Sequence, residues 1–159
     1  MQKKWNQAET LILRAVDLLE LKFGPDHPGI SDAMVNLGEQ HILRHDFVHA
    51  EDAFRRALSI RRAVYGPDHI AAARVATRLA TVLTVLRKNE EAHRLFVAAL
   101  PVEEKVLGSE SPLYASSLEE FGKLLRQMED VAQAETIEAR ARNIRDTLAF
   151  TVSADRLGK

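Results

Sequence analysis

The chain has 159 residues, 46% of them hydrophobic and 28% charged, the composition of an ordinary folded domain. Its 22 Lys plus Arg balance 23 Asp plus Glu, which argues against broad affinity for nucleic acid or an anionic membrane. No cysteine is present, so disulfides and thiolate metal sites are excluded, and no window approaches the roughly 18 uninterrupted apolar residues of a membrane span. A cytoplasmic location without membrane contact is the expectation.

In chain order, residues 2–23 read as one amphipathic helix with Trp5, Leu11, Ile12, Ala15, Leu18 and Leu19 on its apolar stripe. Gly24-Pro25-Asp26-His27-Pro28 ends it. A helix over 28–44 follows, its stripe made by Ile30, Ala33, Met34, Leu37, His41 and Ile42. A turn around His45 and Asp46 leads to a helix over 47–65 carrying Phe47, Ala50, Phe54, Ala57, Leu58 and Val64. Gly66-Pro67-Asp68-His69 then opens a second pair, 70–87 and 89–107, and Gly108-Ser109-Glu110-Ser111-Pro112 a third, 112–128 and 130–149. Each pair is an αα-hairpin of an A helix and a B helix. One domain, residues 1–150, therefore holds a lone B helix at 2–23 and hairpins at 28–65, 70–107 and 112–149; residues 151–159 form a C-terminal tail.

The period is fixed. Gly24, Gly66 and Gly108 recur every 42 residues, as do Ala8, Ala50, Ala92 and Ala134, and Ala15, Ala57, Ala99 and Ala141. Regular recurrence without insertion predicts an all-α αα-hairpin solenoid of about seven antiparallel helices. The glycines stand where a helix ends in a left-handed residue, and Pro28 and Pro112 where the next begins. His27, His69 and Ser111 share one position, where a side-chain acceptor would cap the first free amides. Gly38, Ala80 and Gly122 share another, facing the small residues of a B helix. Pro101 falls inside a B helix and predicts a kink.

Pro28 through His69, with Val35-Asn36-Leu37-Gly38, Ala50-Glu51, Arg56-Ala57-Leu58-Ser59-Ile60 and Tyr65-Gly66-Pro67-Asp68-His69, resembles the 42-residue tetratricopeptide repeat of kinesin light chains and their bacterial relatives. The resemblance implies a right-handed αα-hairpin superhelix with a concave groove, lined by A helices, that receives a peptide segment of another protein. It further implies an A-helix asparagine that holds the peptide backbone. Asn36 occupies that position, with Arg78 and Glu120 in the next two copies.

The candidate groove residues are Asn36 and Glu39 on the first A helix, Arg74, Thr77, Arg78 and Thr81 on the second, and Glu120 and Lys123 on the third. The middle section reads as positive and hydroxyl-rich, and a guanidinium grips a carboxylate with two hydrogen bonds, so an acidic peptide is the natural partner. His41, His45 and His49 are spaced for metal chelation. A turn separates the last two, however, and His41 shares a packing register with Leu83 and Leu125, so no metal and no cofactor is expected. Arg55, Arg56, Arg61 and Arg62 crowd one B helix among acids such as Glu51 and Asp52, which reads as salt-bridged surface. No phosphate loop, strained serine nucleophile or dinucleotide fingerprint occurs, and no catalytic residues are assigned.

The expected function is a non-catalytic protein-interaction module. The alternatives are a self-assembling scaffold, stacking as a homo-oligomer through the uncapped N-terminal helix, and a regulatory segment of a larger signalling protein.

Overall fold

The computed structural model describes the backbone of residues 2–157 and the side chains of Gln7 and residues 9–150. Trp5 and Ala8, assigned above to apolar positions, have side chains outside the described residues. Seven helices follow one another: α1 Gln2–Phe23, α2 Pro28–Leu43, α3 Phe47–Tyr65, α4 Ile70–Val85, α5 Asn89–Leu107, α6 Pro112–Gln127 and α7 Val131–Leu157. Helices α2 and α3, α4 and α5, and α6 and α7 pair as hairpins; α3 packs on α4 and α5 on α6, and α1 lies on α2. Six helices end within two residues of expectation. The seventh runs past the expected end at 149 to Leu157, because no Gly or Pro interrupts it before Gly158.

The two alanine registers make this stacking possible. Ala50, Ala57, Ala92 and Ala134 are completely buried, and Ala99 and Ala141 nearly so, within the packed interior of the stack. Ala15 is the exception. It is exposed, because α2 packs on another side of α1 and no second helix covers the Ala15 side among the described residues. Gly38 does meet a B helix, but against a large residue: a Cβ there would stand 2.8 Å from the Phe54 ring. The equivalent Cβ at Gly122 would stand 2.8 Å from Cγ of Glu138. The close-approach reading of these glycines holds for a different reason than small facing residues; the absent side chain makes room for a bulky one.

Turn chemistry departs from expectation in one respect. Gly24, Gly66 and Gly108 all have φ near +90° (89°, 89° and 90°), yet Gly66 and Gly108 have ψ of 160° and 151°. That is the mirror-extended region, open essentially to glycine alone, and not the left-handed helical one. The left-handed helical conformation occurs instead in the A–B turns, at His45, Arg87 and Glu129 (φ 57°, 62° and 65°), again 42 residues apart. There the amides of Asp46, Lys88 and Asp130 donate to the carbonyls of His41, Leu83 and Leu125 at 2.9, 2.9 and 3.0 Å, closing a Schellman turn at the end of each A helix.

The histidine caps form as expected. Gly29 N–H donates to Nδ1 of His27 and Ala71 N–H to Nδ1 of His69, both at 3.1 Å. Each ring also stacks on an aromatic four residues earlier, Phe23 at 4.7 Å and Tyr65 at 4.9 Å between centroids. Ser111 keeps the cap backbone but its hydroxyl makes no cap hydrogen bond, correcting the expectation of a shared acceptor. Helix α5 continues unbroken through Pro101. Arg55 pairs with Glu51 and Glu91, Arg56 with Glu20, and Arg61 with Asp32, so this basic run is largely neutralised by neighbouring acids.

Candidate functional site

The A helices α4 and α6 lie side by side, and their facing surfaces border a cleft of about 320 Å³. Arg74, Thr77, Arg78 and Thr81 project from α4, and Leu113, Ser116, Ser117, Glu119 and Glu120 from α6, with Glu103 of α5 at the floor. Five candidate residues thus share one cavity: Arg74, Thr77, Arg78, Thr81 and Glu120. The other three do not line it. Asn36 is exposed on α2, Glu39 stands 3.1 Å from Arg78, and Lys123 pairs with Glu120 at 2.6 Å.

The hydroxyls are committed inward. Thr77 Oγ1 is shared between the Arg74 carbonyl at 3.0 Å and Oε1 of Glu103 at 2.9 Å, and Thr81 donates to the Thr77 carbonyl at 3.0 Å. Charge in the cleft as a whole is mixed. Two guanidiniums share the cleft with the carboxylates of Glu103, Glu119 and Glu120, because α5 and α6 bring acids up against α4. Within that set Arg78 is tied to Glu39, Glu119 to Arg145 at 2.9 Å and Glu120 to Lys123. Arg74 and Glu103 make no ion pair among the described residues.

Sequence reasoning missed Glu103, which is buried to 2% exposure on a B helix that was given no part in the groove. A signal existed in the repeat itself. Arg61, Glu103 and Arg145 stand 42 residues apart, so the middle copy inverts the charge of its neighbours. Arg61 donates to Ser31 Oγ and Asp32, both at 2.8 Å, and Arg145 to Ser116 Oγ at 2.8 Å and Glu119 at 2.9 Å. In those hairpins a guanidinium ties the B helix to the A helix; in the middle one a carboxylate stands there.

A second cluster lies at the first hairpin turn, where ligand atoms of His41, Asp46 and His49 fall within 4.8 Å of one another. His45 is not among them; it turns edge-on to Phe47. Asp46 caps α3 by accepting from the His49 amide and sits 2.8 Å from His49 Nδ1. That hydrogen bond holds the Asp46 carboxyl below its ordinary range and raises the His49 imidazole above its own. Capping of α3 accounts for Asp46 and His49; His41 is buried beside them, its Nδ1 3.3 Å from the Asp46 carboxylate and its ring stacked on His49 at 5.3 Å.

The geometry is that of an αα-hairpin repeat solenoid, a class of interaction scaffold. The tetratricopeptide repeat pattern matches residues 1–63, 31–102 and 72–147, and the chain belongs to the tetratricopeptide repeat family. Among solved structures, BtubC (BKLC) from P. vanneervenii superposes with a TM-score of 0.81 at 22% identity, over 92% of this chain and 57% of that one. A kinesin light chain-type protein of Podosopora anserina with nearly identical TPR-like repeats superposes with a TM-score of 0.71 at 16% identity, over 92% of this chain and 70% of that one. Both likenesses are of fold.

Two curated relatives share sequence. The clustered mitochondria protein homolog of Meyerozyma guilliermondii is 28% identical over 109 residues, 69% of this chain and 9% of that protein. Its counterpart in Lodderomyces elongisporus is 28% identical over 103 residues, 65% of this chain and 7% of that protein. The chain spans less than a tenth of the length of these relatives. No helix among the described residues is long and apolar enough to cross a membrane.

Proposed function

We propose that the chain is a non-catalytic, cytoplasmic interaction module that binds a segment of a partner protein in the cleft between α4 and α6. The observation that carries this reading is Arg74, a half-buried guanidinium that lines the cleft without an ion-pair partner among the described residues. It is free to grip a carboxylate of the incoming segment through two hydrogen bonds. Arg78 is a second grip once it leaves Glu39, and Asn36, exposed on the neighbouring A helix, is the clamp for the peptide backbone beyond the cleft. Affinity capture followed by mass spectrometry identifies the partner, and titration with its bound segment tests the site. Arg74→Glu is expected to weaken that binding by about 1–3 kcal/mol. Equal affinity in the variant removes the cleft assignment. Arg78→Glu is the poorer test, since it also sets a like charge beside Glu39.

A second reading, self-association, is favoured by α1. Leu11, Ala15 and Leu18 are exposed there, whereas the matching B-helix positions Ala53, Ala57 and Ile60 are buried beneath an A helix. A second copy stacked on this stripe would cover it. Multi-angle light scattering across a concentration series decides: a strict monomer at high concentration rejects stacking, and a dimer abolished by Leu18→Glu supports it.

A further inference from the structure

Glu103 is the least explained charged group of the fold. One of its oxygens takes the Thr77 hydroxyl, while Oε2 is buried and accepts no hydrogen bond from any described residue. Water solvates a carboxylate strongly, so an oxygen held away from it without a donor is among the costliest arrangements a protein retains. Such a group calls for a specific partner. The flanking hairpins show what belongs at this spot: guanidiniums of Arg61 and Arg145, each held by acceptors on the A helix. In the middle hairpin the cation is missing, the carboxylate has replaced it, and the place opens into the cleft.

We propose that Glu103 anchors a basic side chain, arginine or lysine, of the segment bound between α4 and α6. This rests on the cleft being the binding site and specifies its ligand. The ligand must present both signs, its base to Glu103 and an acid to Arg74. Glu119 and Glu120 also line the cleft, but each is already paired, with Arg145 and Lys123, which leaves Glu103 as the lining carboxylate without a cation among the described residues. An internal pair is the competing arrangement, because Arg74 and Glu103 occupy the same two registers, with signs exchanged, as the bonded Asp32 and Arg61.

The test begins with peptides selected from a random phage-displayed library on the folded full chain, keeping those whose binding is lost on a Leu113→Glu protein, which blocks the cleft. Fluorescence polarisation with the labelled peptides then measures two changes. Replacing the peptide's arginine by citrulline, or its lysine by norleucine, is expected to weaken binding on the order of 10- to 100-fold, and Glu103→Gln to weaken the unmodified peptide comparably. Glu103→Gln keeps an acceptor for Thr77, and the citrulline peptide needs no altered protein, so a folding defect cannot mimic the result. If no selected peptide is sensitive to Leu113→Glu, the cleft reading falls and this proposal with it. If cleft-bound peptides tolerate both changes, only the basic anchor falls. The free Glu103→Gln protein is expected to unfold at the same or a higher temperature; a lower one would show the carboxylate satisfied inside the chain, by Arg74, and overturn the proposal.

Discussion

Lys88 closes on Glu51 across the boundary between two hairpins, its Nζ 2.7 and 2.8 Å from the two carboxylate oxygens. Arg55 donates to the same carboxylate at 2.8 Å and reaches on to Glu91 of α5. Burial pushes the Glu51 carboxyl up, but the hydrogen bonds from Lys88 and Arg55 outweigh it and hold the group below its ordinary value. A carboxyl depressed by folding contributes stability above its unfolded pKa, near 4.5, and loses that contribution as the pH falls through its lower folded value. Unfolding midpoints should therefore drop on acidification below about 4.5, and less steeply in Glu51→Gln. Lys88→Met, which leaves Arg55 in place, should cost about 1–3 kcal/mol at neutral pH in urea denaturation.

Gly38 and Gly122 occupy one register but should respond differently to a methyl group. Gly38→Ala meets the buried Phe54 ring and should destabilise by about 1–3 kcal/mol. At Gly122 the obstacle is Glu138, a flexible side chain held in place by two 2.6 Å hydrogen bonds from Arg126. Gly122→Ala must turn Glu138 about its first side-chain torsion, since the obstructing atom is Cγ, and should cost about 1 kcal/mol, with loss of the Arg126 pair visible as a change in Arg126 side-chain NMR signals.

The left-handed positions in the A–B turns carry no glycine. A residue with a Cβ pays about 1–2 kcal/mol in that conformation. Arg87→Gly and Glu129→Gly, at exposed sites, should therefore stabilise the protein by about 0.5–1 kcal/mol after allowing for the more flexible unfolded chain. Thermal unfolding of the two single variants and the double variant measures this, with additivity expected for turns in separate hairpins.

His69 caps α4 and stacks on Tyr65, so His69→Ala should cost about 1–2 kcal/mol. Ser111→Ala at the matching position should be nearly neutral, because the serine hydroxyl makes no cap bond. Equal losses at the two sites, read by chemical denaturation, would contradict the structure.

The fold was legible because its demands repeat. A glycine or alanine required at the same point in three copies stands out by its spacing alone, and helix ends follow from the Gly-Pro linkers. The Schellman turns were not legible, since His45, Arg87 and Glu129 have no common chemistry and share only a backbone angle. The cleft was legible in part. Arg74, Thr77, Arg78, Thr81 and Glu120 sit on A helices and could be placed by helical period, whereas Glu103 reaches the same cavity from α5. Its role depends on which acids and bases of three helices meet, a relation between elements that periodicity within one helix does not contain.

A Cβ added at Gly24, Gly66 or Gly108 would have no heavy atom within 4 Å, so space is not what these positions demand. They demand an angle, and all three hold it to within a degree. The solenoid is thus a staircase with the same joint at every landing. Substituting one glycine would leave each hairpin folded and bend the flight at that landing, changing the course that a bound segment must follow along the stairs.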